Sequence, residues 1–164
     1  MTMNRPGAET GVFEPELVNA RPATTAVIHG VVAVTDLRGF FDRSFRTLAE
    51  TIAAQQVAIT SPAFALYHGL PGRTVDLEVG FATDPAIRPD GDVIAGSLPG
   101  GRVARLVHLG SFDGLGASWE RLRSWMREQD LSLGADTWEV YVTEPSPGMD
   151  PCHLRTELYW PVAG

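Results

Sequence analysis

Cysteine is almost missing from this chain: Cys152 is the only one. An internal disulfide is therefore excluded, and a reducing cytoplasm is the expected location. Long apolar runs are missing too. No stretch reaches the roughly 20 residues of a membrane span. Residues 1–11 are polar and lack the apolar centre of a signal peptide, so they read as a flexible tail. Basic charge is scarce: 13 basic against 20 acidic side chains leave a formal net charge of −7. Such a surface repels phosphate backbones and anionic lipid, and the arginines are scattered, not gathered into a stripe. Neither nucleic acid nor membrane is expected as a partner, and the balance favours neutral or positively charged small molecules. His29, His68, His108 and His153 have no ligand spacing, and Cys152-His153 is one isolated pair, so no metal and no cofactor are expected. The glycine-rich pieces at 69–72 and 96–101 lack the Lys-Ser/Thr ending of a phosphate loop and read as turns. No Gly-x-Ser-x-Gly nucleophile signature occurs.

What is present is a globular composition, 44% hydrophobic and 20% charged over 164 residues, enough for one domain with a substantial core. Within it the sequence repeats. Displaced by 74 positions, Phe41, Phe45, Leu48 and Ile52 fall on Leu115, Trp119, Leu122 and Met126. Without a gap, Phe64, Leu66 and Tyr67 then fall on Trp138, Val140 and Tyr141. A single domain over 12–164 is expected, built from copies at about 12–84 and 91–163.

The patterns predict the same elements in each copy. Residues 12–34 are rich in β-branched positions and read as extended. Thr35-Asp36 supplies a cap for a helix running to about Gln56, with apolar residues at spacings of three and four. Residues 63–67 and 74–81 read as strands joined by the Gly69-Leu70-Pro71-Gly72 turn. In the second copy, 102–108 read as a strand and Asp113 caps a helix over 115–126, with Gly134 beyond its end. Residues 137–143 and 154–162 close the pattern as a hairpin across a long loop at 144–153. The expected class is α+β: two pseudo-symmetric strand-helix-strand-strand modules sharing an antiparallel sheet, with a ligand cleft between them.

One residue breaks the repeat. Where the first copy has Ala65, the second has Glu139. Alternation places Trp138, Val140 and Val142 on one strand face, with Phe64 and Leu66, and these are expected to cover the helices. Glu139 and Tyr141 point the other way beside Ala63, Ala65 and Tyr67; Tyr159 is expected to join them and Phe112 to wall the edge. A strand glutamate ordinarily faces water. Here its run is otherwise apolar and no basic partner lies nearby, and an unpaired buried carboxylate costs several kcal/mol. Tyrosine faces attract cations by about 0.5–2 kcal/mol each. Aromatic walls around a carboxylate therefore suit an apolar molecule carrying delocalised positive charge. Trp119 and Trp125, on the second helix, read as packing residues.

The segment His108-Leu109-Gly110-Ser111-Phe112, the helix that follows, Trp138-Glu139-Val140-Tyr141 and Arg155-Thr156-Glu157-Leu158-Tyr159-Trp160-Pro161-Val162 resemble the gyrase-inhibitor-like (GyrI-like) small-molecule-binding domains, which also serve as effector-binding modules of some AraC-type and MerR-type regulators. The resemblance implies the two-module fold and an aromatic pocket with a glutamate at its base, carried here by Glu139, with Tyr141 as a wall. It also implies a binder of hydrophobic, often cationic compounds; as a departure from the regulators, no helix-turn-helix or basic DNA-binding segment is read in these residues, so a stand-alone binder is expected. Two alternatives accompany it. One is a hydrolase of reactive, cyclopropane-type compounds with Glu139 as general base and Tyr141 as its partner; the other is an inhibitory contact with DNA gyrase. No protein partner can be named from the residues.

Overall fold

The computed structural model describes residues 14–70, 72–143 and 148–163. The predicted tail at 1–11 lies outside them, as do Pro71 of the first hairpin turn and residues 144–147 of the long loop. The first copy supplies β1 (Glu16–Ala20), β2 (Ala23–Ala33), α1 (Leu37–Ala54), a two-residue β3 (Ala58–Ile59), β4 (Phe64–His68) and β5 (Thr74–Asp84). The second supplies β6 (Val93–Leu98), β7 (Gly101–Leu109), α2 (Leu115–Glu128), β8 (Asp136–Tyr141) and β9 (Arg155–Pro161). The class is α+β, with every strand pairing antiparallel. The order across the sheet is β1-β7-β9-β8-β4-β5-β2-β6, and β3 adds to the end of β5.

Apart from the two-residue β3, each module therefore carries one strand more than its pattern predicts, and these extra strands are exchanged. β1 precedes β2 but pairs with β7; β6 precedes β7 but pairs with β2. Only two residues join β1 to β2 and β6 to β7, a reach of roughly 10 Å. The sheet must curl to bring its edges to that corner. There Gly100 lies so near Pro22 that a methyl group on it would stand 2.5 Å from Pro22 Cδ.

The modules meet where β4 pairs with β8, Ala65 opposite Glu139 and Leu66 opposite Trp138. This is the one register in which a residue faces its own duplicate, so the pseudo-twofold axis passes between Ala65 and Glu139. The residue that breaks the repeat lies on the axis itself.

Both faces of the curled sheet are apolar. On the outer face α1 packs Phe40, Leu48 and Ile52 over β2, β5 and Ala65, and α2 packs Leu122 and Met126 over Leu106, Leu158 and Trp160. On the inner face Phe64, Leu66, Trp138 and Val27 form a separate core. The helices thus cover the Glu139 face, opposite to the assignment made from alternation. Alternation separates two faces, but where both are buried it carries no information about which one receives the helices.

Each helix is entered through a 3-10 turn, Val34–Asp36 or Phe112–Gly114, and neither Asp36 nor Asp113 makes the predicted side-chain cap. The left-handed residue after α2 is Asp130 (φ 56°), not Gly134, and its duplicate Gln56 has the same φ after α1.

Candidate functional site

Glu139 is 4% exposed, although β8 is short and its neighbours on the same face are large. Its small duplicate Ala65 and Leu158 flank it on the adjoining strands. Burying a carboxylate is costly unless its oxygens are hydrogen-bonded. Here three donors serve it. Tyr141 Oη donates to Oε1 at 2.7 Å, Tyr67 Oη donates to the same oxygen at 3.1 Å, and Trp119 Nε1 donates to Oε2 at 2.8 Å. All three donors are neutral. The charge is solvated by dipoles, and among the described residues no basic side chain hydrogen-bonds or pairs with it.

The donors follow from the duplication. Tyr67 and Tyr141 are equivalent positions of the two copies, and from opposite sides of the axis they converge on one oxygen. Trp119 is the duplicate of Phe45, so the second copy exchanges a plain ring for one with an N–H. Around them Phe41 lies edge-on to Tyr141 at 6.3 Å and beside Phe45 at 6.1 Å, and Phe112 closes the rim 5.9 Å from Tyr141. Phe112 is 42% exposed, so this rim is the side nearest solvent.

Burial and then the Glu139 charge push the phenol pKa values of Tyr67 and Tyr141 well above 10, because a phenolate beside a carboxylate is disfavoured. Both therefore stay protonated as donors throughout the neutral range.

The structure brings together Glu139, Tyr141, Tyr67 and Phe112 from the sequence-based set, and it leaves Tyr159 out. Tyr159 lies on the inner face, stacked on Trp138 at 5.2 Å, and donates to Glu157 Oε1 at 2.7 Å. It belongs to a different network, in which Arg105 also binds Glu157 at 2.7 Å. Trp119 is the member that the sequence reading missed. The signal was present as the second place where the repeat gains a polar group, Phe45 becoming Trp119, but a tryptophan on an apolar stripe reads equally well as packing. Among the described residues no cluster of side chains fit to hold a metal ion occurs.

The fold and site define a class: a duplicated α+β domain with a buried carboxylate in an aromatic cage on its pseudo-twofold axis. The GyrI-like small molecule binding domain matches residues 14–163, and the chain belongs to that family. Its fold is shared by the C-terminal domain of EcmrR, at 18% identity and a TM-score of 0.80 over 92% of this chain and 97% of that one. EcmrR in complex with DNA gives the same TM-score at 21% identity over 91% of this chain, which spans 57% of that longer one. SAV2435 bound to tetraphenylphosphonium matches at 14% identity and a TM-score of 0.65, covering 93% of this chain and 95% of that one. A hydrolase from Listeria innocua matches at 13% identity and 0.65, over 92% of each chain. No curated protein matches. Among the described residues no helix is long and apolar enough to cross a membrane.

Proposed function

We propose that the protein binds lipophilic organic cations in the Glu139 cage. The observation that carries this reading is a carboxylate removed from water, held by three neutral donors and without a counter-ion among the described residues. Such a site retains an uncompensated negative potential in a low-dielectric setting, where a delocalised cation gains most and loses least hydration. The rings of Phe41, Tyr67, Tyr141 and Trp119 add faces and edges for an aromatic cation. The family supports a small-molecule ligand, and the tetraphenylphosphonium bound by SAV2435 supports the charge class.

Glu139 is 4% exposed, so a ligand reaches it only when the surrounding rings part. Phe112, the most exposed of them, marks the way in. Titration with tetraphenylphosphonium therefore quenches tryptophan emission saturably, and Trp119→Phe removes most of that signal. An emission that stays constant while dialysis shows no bound cation contradicts the proposal.

A second reading is hydrolysis, with Glu139 polarising a water and Tyr141 as proton partner; the Listeria innocua neighbour described as a hydrolase favours it. A carboxylate has about four lone-pair sites, and three are already used, so one remains for a water. Product in excess of one equivalent per chain from a strained-ring electrophile separates catalysis from binding.

A further inference from the structure

The repeat is broken a second time, on the inner face. Leu66 pairs with Glu78, and its duplicate Val140 pairs with Glu157, so these two glutamates are equivalent. Following the registers outward, Gly80 corresponds to Tyr159, Val27 to Arg105, Thr25 to Val103 and Gly96 to Val18. Around Glu157 a groove of about 420 Å³ is present but its carboxylate is neutralised: Tyr159 and Arg105 both bind it, and Val18 packs in the same core as Val103. Around Glu78 each of these side chains is cut back. Glycines stand for Tyr159 and Val18, and a valine stands for the arginine.

The groove here, about 400 Å³, is of similar size but has no arginine in its lining, which includes Leu66, His68, Glu78, Ile94, Gly96 and Asp136. A methyl group on Gly96 would stand 3.0 Å from Thr25 Oγ1 and 3.3 Å from Glu78 Oε1, so both oxygens lie close beside the position the missing side chain would take. Thr25 is 1% exposed and its hydroxyl has no hydrogen-bond partner, which is costly for a buried polar group. His68 meets both carboxylates: its Nε2 lies 2.6 Å from Glu78 Oε2 and its Nδ1 3.3 Å from Asp136 Oδ2. Two carboxylates thus share one imidazole, and the next pair along, His29 with Asp76, answers itself at 2.6 Å.

We infer that this groove is a second ligand site, for a small amine whose ammonium sits between Glu78 Oε1 and the Thr25 hydroxyl while its hydrocarbon part lies on Leu66 and Ile94. It faces the opposite side of the sheet from Glu139 and stands independently of the cage. The requirement for N–H donors sets its ligands apart from the delocalised cations proposed above.

The test is an amide-resolved NMR titration of the full chain with phenethylamine at pH 8. The inference expects saturable shifts at Gly96, Ser97 and Thr25, with the Trp119 indole signal unmoved. It further expects at least tenfold weaker binding in Glu78→Gln and in Gly96→Val, which restores the side chain of the duplicate. Glu139→Gln should bind the amine as the wild type does, and Glu78→Gln should still bind tetraphenylphosphonium. Absence of saturable shifts, shifts centred on Trp119, or undiminished binding in both groove variants overturns it.

Discussion

Glu139 was legible in the sequence because an internal duplicate provides its own control: a charge where the other copy has Ala65 calls for a cause. Tyr67 and Tyr141 were legible with it, since strand alternation fixes their shared face once β4 and β8 pair. Tyr159 was not. Between β8 and β9 the second copy carries five more residues than the first, because Leu66 and Val140 lie 74 apart while their partners Glu78 and Glu157 lie 79 apart. An odd insertion reverses which face each later side chain takes. All three tyrosines have raised phenol pKa values, Tyr67 and Tyr141 through burial and Glu139, Tyr159 through burial and Glu157. Absorbance near 295 nm should therefore show no phenolate step at pH 10 in the folded protein, and one step near 10 in denaturant. Since a raised pKa favours the neutral folded form, the linked stability is complete below pH 10 and is lost as pH climbs above it. Tyr67 or Tyr141 titrating near 10 in the folded protein would contradict the cage geometry. Trp119→Phe keeps a ring against Trp160 but removes a donor from a buried charge. Urea unfolding should show a loss of about 1–3 kcal/mol; an unchanged midpoint would mean that the indole N–H does not serve Glu139.

At the scale of elements, both helices and the central strands were readable from periodicity, because amphipathic stripes and apolar runs bounded by Gly and Pro are strong local signals. The short β3 and the edge strand β6 were not, since Val-Ile-Ala-Gly-Ser-Leu alternates weakly and its partner β2 is far away in sequence. The run at 12–34 reads as continuous but is two strands, divided at Arg21-Pro22 where the chain turns the corner. Helix ends were misread for a related reason: the 3-10 entries satisfy the first turn without a side-chain cap. The left-handed exits at Gln56 and Asp130 carry backbone strain of roughly 1–2 kcal/mol for a residue with a Cβ. Gln56→Gly should accordingly stabilise the protein by about 0.5–1 kcal/mol after the greater entropy of the unfolded glycine is subtracted. Thermal unfolding measures this, and a lowered Tm would refute the strain argument.

For the whole molecule, duplication predicts two modules on one sheet, and the structure adds that their first strands are exchanged. That exchange was hidden because it depends on pairing across the chain, which local patterns do not encode. It makes the corner at Pro22 and Gly100 a structural necessity: the two linkers cross there with no room for a side chain. Gly100→Ala should cost about 1–3 kcal/mol by overpacking, whereas Gly72→Ala, with nothing within 4 Å of the new methyl group, should change stability by less than about 0.5 kcal/mol. Equal effects of the two in chemical denaturation would argue against an edge-closing corner. The same duplication supplies the reasoning for function. Symmetric cores pack well, so departures from symmetry, Glu139 on the axis and Gly96 in the groove, are where ligand chemistry is proposed.

Calorimetric titration of tetraphenylphosphonium into the wild type and Glu139→Gln, at equal pH and salt, bears most directly on the anionic cage. The substitution keeps size and shape while removing the charge, so affinity should fall at least tenfold, about 1.4 kcal/mol, with folding preserved in both. Equal affinities for the two proteins would show that the carboxylate takes no part in recognition.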